Sequence, residues 1–227
     1  MNIGAIAFDL DGTLVDSVPD LAFATNAAMH ELGHPPHPED TIRNWVGNGV
    51  QRLVERAITG RFDGRVSDSE IAAAVSVFER HYAVANGVHS TVFDGVFEGL
   101  DAVRSLHLPL ACVTNKPEQP ARALLSTCGL ADYFPCVVGG DTLPRRKPDP
   151  LPLTHIAAHF GVTPPELLVV GDSVSDVQAA RAAGCSIIAV SYGYNHGRDI
   201  RSESPDHVVG TIAEVPGLLA GMKSGRR

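Results

Sequence analysis

Two carboxylates, Asp9 and Asp11, stand two residues apart in Asp9-Leu-Asp11-Gly-Thr13, just after an apolar run that begins at Ile3. On an extended chain, side chains two apart point the same way, so these acids crowd each other. A third acid, Asp172, lies in Val170-Gly171-Asp172-Ser-Val-Ser-Asp176, after another apolar run. Thr114 ends a third run in Val113-Thr114-Asn115-Lys116, and Lys147 opens Lys147-Pro-Asp149-Pro. Crowded carboxylates repel, and a divalent cation relieves them. Mg²⁺ takes oxygen ligands and keeps several waters, so a few carboxylates and a ligand's phosphate suffice to hold it. With a hydroxyl, an amide and an ammonium added, the set suits a magnesium-dependent site for phosphoryl groups.

The elements that must position these groups read as strands and helices in alternation. Residues 3–10 are nearly all apolar without alternation, as in a strand buried on both faces of a parallel sheet. Similar runs recur at 108–113, 136–138, 167–170 and 187–190, with a weaker one at 207–209. Helical patterns separate most of them. Val96, Leu100, Val103 and Leu106 share one face, as do Val177, Ala180 and Ala183 ahead of a stop at Gly184. Thr163-Pro-Pro-Glu166 reads as a capping box. The alternation predicts a doubly wound, mostly parallel α/β sheet. In such a sheet ligands bind beyond the carboxyl ends of the strands, where Asp9, Asp11, Thr114 and Asp172 all fall.

From about Ser17 to Asn86 the strand pattern stops. Ser17-x-x-Asp20 is a helix start, with Leu21, Ala24, Ala28 and Leu32 on one face and Gly33 at the end. Ser67-x-x-Glu70 starts another, with Ile71, Val75, Phe78 and Tyr82 in register. Shorter helices fit 39–46 and 50–59. The stretch reads as an all-helical insertion, a cap at 17–89, hinged at 16–19 and 89–95. The core is then 1–16 with 90–221, and 222–227 is a polar, basic, flexible tail.

The 227 residues are 44% hydrophobic, with a formal charge of −8 and no block of like charge. A nucleic-acid partner is disfavoured, because phosphate backbones need clustered Lys and Arg. The N-terminus lacks a basic region, and Asp9 and Asp11 interrupt its apolar stretch, so neither a signal peptide nor a membrane span is expected. Cys112, Cys128, Cys136 and Cys185 form no C-x-x-C pair and read as reduced thiols of a cytoplasmic protein. Three lysines stand against fifteen arginines, so keeping Lys147 suits a need for a compact point charge. His155 and His159 have zinc-like spacing but no third ligand nearby, and read as a helix face.

Taken singly, Asp-x-Asp-Gly is a common turn, Gly-Asp-Ser a helix cap and Lys-Pro-Asp-Pro a rigid loop. Together and in this order they resemble the haloacid dehalogenase superfamily, in its branch of small phosphatases with an inserted helical cap. The resemblance covers the whole chain and implies a Rossmann-like core. It implies Asp9 as nucleophile, forming an aspartyl-phosphate and binding Mg²⁺. Asp11 would protonate the leaving oxygen, take a proton from the attacking water, and offer its backbone carbonyl to the metal. Thr114 and the backbone amide of Asn115 would bind the phosphoryl group, and Lys147 would neutralise charge there. Asp172 would complete the metal site, with Asp176 and Ser173 ordering its surroundings from behind.

Three segments further resemble the bacterial phosphoglycolate phosphatase family: residues 9–17, Trp45-Val-Gly47-Asn48-Gly49, and Ser191-Tyr-Gly-Tyr194-Asn195-His196-Gly197. The expected substrate is thus a small phosphorylated metabolite, 2-phosphoglycolate above all. Gly47, Asn48 and Gly49 would bring backbone amides to its carboxylate, with Arg52, and further off Arg56, as candidate charges. The helix–helix turn remains an equal reading of that loop, and Trp45 is expected to pack the cap. No lysine precedes Lys116, so a Schiff base from the cap has no candidate. β-Phosphoglucomutase-like chemistry on a sugar phosphate stays open, as does a phosphate-binding scaffold. The expected state is a monomer or weak homo-oligomer.

Overall fold

In the computed structural model, residues 3–224 are described. The chain begins with β1 (Ala5–Phe8), turns through β2 (Val15–Asp16), and enters four helices: α1 (Val18–Glu31), α2 (Glu39–Trp45), α3 (Val50–Thr59) and α4 (Asp68–Ala85). It returns through β3 (Thr91–Val92) into α5 (Val96–Arg104), β4 (Leu110–Val113), α6 (Glu118–Thr127) and β5 (Cys136–Val138). Then follow α7 (Leu151–Phe160), β6 (Leu167–Gly171), α8 (Val174–Ala183), β7 (Ser186–Val190), β8 (His207–Val209) and α9 (Val215–Ser224). Of the tail expected at 222–227, the first three residues continue α9, and 225–227 lie outside the described residues.

The main sheet has six strands in the order β5-β4-β1-β6-β7-β8, all paired in parallel. The expected doubly wound α/β architecture is therefore present. The strand order turns at β1: β4 and β5 lie to one side, and the chain then crosses to β6 on the other. The crevice at this switch point collects the ends of β1, β4 and β6.

Within β1, Ile6 and Phe8 face one layer of core, with Leu100 of α5, Leu124 of α6 and Leu219 of α9. Ala5 and Ala7 face the other, with Leu153 and Ile156 of α7 and Val177 of α8. Burying each large side chain of these layers contributes about 1.5–3 kcal/mol. A separate apolar cluster joins α1 to α4 through Ala28, Ile42, Trp45, Leu53, Ile71 and Phe78. Trp45 is buried there against the His37 ring, as packing.

β2 and β3 pair antiparallel, Val15 with Val92 and Asp16 with Thr91, where the chain leaves and re-enters the sheet domain. Two-residue strands carry no periodicity and were not legible beforehand. Helix α1 does start after Ser17, yet Ser17 makes no side-chain cap; its hydroxyl donates to Asp11 Oδ1. Asp20, fully buried, instead accepts from the backbone of Gly87, His89 and Ser90 and from the Ser90 hydroxyl. One carboxylate thereby ties the outgoing linker to the returning one. Ser67 does cap α4, accepting from Glu70 N at 3.3 Å. Glu166 closes its box on Thr163 as the pattern predicts. Leu106 lies beyond the end of α5 and is exposed rather than packed. All four cysteines are free thiols. Among the described residues no helix is long and apolar enough to cross a membrane.

Candidate active site

Asp9 follows β1 directly, its amide bonded to the Val170 carbonyl at 2.9 Å, so β6 fixes its height. The next residues wrap into a turn in which Leu10 O accepts from Thr13, Leu14 and Val15. Gly12 sits at φ 89°, and a Cβ there would lie 2.4 Å from Asp172 Oδ2. Only glycine allows that backbone and that approach. The turn carries Thr13 to Asp172, donating to its Oδ1 at 2.9 Å, while Tyr194 N donates to its Oδ2 at 2.7 Å.

Asp176, in the first turn of α8, accepts from the Ser173 amide and hydroxyl at 3.1 and 2.6 Å. Lys147 reaches across to it. The ammonium donates to Asp176 Oδ1 at 2.6 Å and to Val113 O at 2.7 Å. It also pairs with Asp9 Oδ1 at 2.9 Å, so its three donors go to Asp176, Val113 O and Asp9.

Carboxylate oxygens of Asp9, Asp172 and Asp176 all lie within 4.8 Å of one another. Burial, then repulsion from Asp176 and Asp11, pushes the Asp9 carboxyl up to about 7 despite Lys147. Burial, then Asp9 and Asp176, pushes Asp172 well above the carboxylate range. Burial opposes the Lys147 ammonium, but Asp176 and Asp9 outweigh it and hold its pKa above the ordinary lysine value.

Asp11 turns its side chain elsewhere, to Lys116 Nζ at 2.9 Å and to Ser17. Thr114 follows β4 and accepts from Lys116 N at 3.1 Å. Thr114, Asn115, Lys116 and Lys147 line one crevice with Asp9 and Asp11. Ser173 lines it too, while Asp172 lies deeper, buried beneath the turn.

Helices of the insertion form the opposite wall. Gly47 and Gly49 line the crevice at φ 114° and 85°, backbone that favours glycine. Asn115 Nδ2 donates to Gly47 O at 3.0 Å and to Lys147 O at 3.0 Å, so it clamps the loop to the core. The 191–197 segment holds the insertion from the other side. Tyr194 accepts from Ser17 N and donates to Asp16, and His196 Nδ1 lies 2.9 Å from Asn44 O.

Three candidates from the insertion, Asn48, Arg52 and Arg56, do not line the crevice. Asn48 turns away and accepts from Arg56 Nη2 at 2.9 Å. Arg52 binds the carbonyls of Phe62 and Gly64 at 3.0 and 2.9 Å and pairs with Glu55. The loop after α3 has carbonyls that no helix bond satisfies, and a guanidinium with five donors fits them. Arg56, held by Trp45 O and Phe62 O, braces the same loop. Replacing Arg52 with alanine should thus lower stability by about 1–3 kcal/mol, read by thermal melting. It should leave the ranking of substrates unchanged; a changed ranking would return Arg52 to the site.

Sequence reasoning missed Lys116, Thr13, Tyr82 and Tyr194. Lys116 stood inside a motif already singled out, and the scarcity of lysine marked it as much as Lys147.

Residues 3–184 match the model of the haloacid dehalogenase-like hydrolases. The chain belongs to this family. Across 94% of its length and 94% of the other, this hydrolase is 50% identical to a phosphoglycolate phosphatase of Thiobacillus denitrificans. It is 47% identical to one of Nitrosococcus oceani, over 95% and 96% of the two chains. A crystal structure from Haemophilus somnus, described as a predicted phosphoglycolate phosphatase, superposes with a TM-score of 0.89 at 33% identity. That match covers 96% of this chain and 98% of that one. The haloacid dehalogenase-like enzyme is a phosphatase, a phosphoric monoester hydrolase, as its motifs imply.

Proposed function

We propose that the chain hydrolyses 2-phosphoglycolate to glycolate and phosphate through an aspartyl-phosphate on Asp9, with Mg²⁺ at the carboxylate cluster. One observation carries the chemistry. The Asp9 carboxylate lines the crevice at the end of β1, 2.9 Å from the Lys147 ammonium and with oxygens of Asp172 and Asp176 within 4.8 Å. A carboxylate facing the crevice beside an ammonium and a candidate cation site is placed to act as a nucleophile toward a bound phosphoryl group. The substrate rests on the relatives, which carry the name phosphoglycolate phosphatase at 50% and 47% identity.

The donor set fits a hard divalent cation. Three buried acids lie together, one ammonium pairs with Asp9 and Asp176, and burial pushes Asp9 and Asp172 toward protonation. The Asp9 and Asp172 carboxylates and the Asp11 backbone carbonyl would hold Mg²⁺, with Asp176 beside them. When bound, the ion neutralises carboxylate and phosphoryl charge and keeps Asp9 ionised.

In the first step an Asp9 oxygen forms a bond to phosphorus while the bond from phosphorus to the glycolate oxygen breaks. Asp11 gives its proton to that departing oxygen. Water then attacks phosphorus, Asp11 takes its proton, and the bond to Asp9 breaks to release phosphate. Thr114 and the Asn115 amide bind the phosphoryl oxygens, and Lys147 balances their charge throughout. The Gly47–Gly49 wall and Tyr82 shield the crevice from bulk water. Free thiols in all four cysteines suit a reducing, cytoplasmic setting.

A panel of small phosphate esters compared by kcat/KM tests the substrate, since discrimination is a ratio of those values. 2-Phosphoglycolate should lead. Hexose phosphates or nucleoside monophosphates ahead of it would overturn the substrate and leave the phosphatase.

A further inference from the structure

Two ammonium groups line the crevice, and the reaction above uses one of them. Lys147 is spent on Asp9, Asp176 and Val113 O. Lys116 is equally buried, its side chain 4% exposed. Among the described residues Asp11 is its one carboxylate partner, at 2.9 Å, and the ammonium lies 4.9 Å from the centre of the Tyr82 ring on α4. An ammonium has three donors; Asp11 takes one and the Tyr82 side chain another, which leaves one for a ligand. The remaining crevice walls are glycine backbone, apolar side chains and neutral polar groups. Arg146 reaches the mouth, where a Cβ on Gly49 would meet its Nη1 at 2.6 Å, but it is exposed. Exposed charge pairs contribute little in water.

Geometry then orders the substrate. Asp11 protonates the leaving oxygen, so that oxygen lies beside Asp11. Asp11 touches the Ser17 hydroxyl and Lys116, and of these two Lys116 lines the crevice, so the atoms attached to that oxygen lie beside Lys116. In 2-phosphoglycolate these atoms are one methylene and a carboxylate. We propose that Lys116 binds the carboxylate of the leaving group and is the residue that selects acid-bearing phosphate esters, with Tyr82 closing the site from the cap. The inference rests on the phosphoglycolate reading and gives to the core side a task that Arg52 does not perform.

The test compares 2-phosphoglycolate with 2-hydroxyethyl phosphate, which keeps the skeleton and lacks the charge. kcat/KM for both is measured in the wild type, Lys116→Gln and Arg146→Ala. The wild type should favour 2-phosphoglycolate by on the order of 100-fold. Lys116→Gln should collapse that ratio, mainly through KM for 2-phosphoglycolate, and Arg146→Ala should keep it. A wild-type ratio near unity would overturn both Lys116 and the substrate. A large wild-type ratio that survives in Lys116→Gln would overturn Lys116 alone. An equal loss on both esters would also overturn it, since that is the mark of a residue that only positions Asp11.

If the glutamine variant does not fold, Asp9→Asn protein with isotope-labelled lysine supplies the answer. The chain has three lysines, so their signals separate, and Lys116→Arg assigns the one of interest. Saturating 2-phosphoglycolate should move the Lys116 signal where 2-hydroxyethyl phosphate does not. Identical spectra with the two ligands would overturn the proposal.

Discussion

Replacing Asp9 with asparagine is expected to lower turnover by about 10⁴-fold or more while the fold persists. The amide is isosteric but is no nucleophile toward phosphorus. The fold should persist because Lys147 keeps its bonds to Asp176 and Val113 O. The variant also removes a carboxylate whose ionisation burial opposes, so its melting temperature without metal should not fall. The measurement pairs phosphate release with thermal melting. Undiminished release from a folded variant would remove Asp9 from the chemistry.

Lys147→Met should have the second largest effect, and it should strike both stability and rate. The ammonium is the one cation within ion-pair distance of Asp9 and Asp176 among the described residues. Methionine fills its volume but leaves Asp9 and Asp176 buried without their cation. Breaking such a network costs about 3–5 kcal/mol, a loss of melting temperature on the order of 10 °C for a chain of this size. Turnover should fall about 100-fold or more with loss of a preorganised charge at the phosphoryl group.

The pH dependence has a defined sign. Asp9 already has a folded-state pKa raised to about 7, so its contribution to stability is present at low pH and fades as pH rises through 7. Without Lys147 the carboxylates bind protons more tightly still. The penalty should thus be smallest in acid and grow through neutrality, and Mg²⁺ should recover part of it. A destabilisation independent of pH would show that the lysine acts by packing alone.

The six-stranded sheet was legible because strands buried on both faces show as uninterrupted apolar runs, as β1, β4, β6 and β7 do. The core half of the site was legible for a related reason. Asp9, Thr114 and Asp172 sit one residue beyond a strand, so topology alone brings them together. The insertion's half was not. The charge of Arg52 suits a carboxylate, yet a long side chain goes where unsatisfied carbonyls are, and those of Phe62 and Gly64 arise only once the loop after α3 has folded. Ser17 and Asp20 form a helix-start pattern, but the chain spends them on Asp11 and on the returning linker, contacts 6 and up to 70 residues away in sequence. Gly47 and Gly49 line the crevice with a requirement on the backbone, which local sequence expresses directly.

The covalent route through Asp9 is tested most directly by stereochemistry at phosphorus. An isotopically chiral phosphorothioate analogue of 2-phosphoglycolate is turned over in oxygen-labelled water, and the configuration of the released thiophosphate is determined. Two successive in-line displacements, first by Asp9 and then by water, each invert the centre. Net retention is the predicted result. Net inversion would mean that water attacks phosphorus in a single step, and Asp9 would then be a ligand or a base but not the nucleophile.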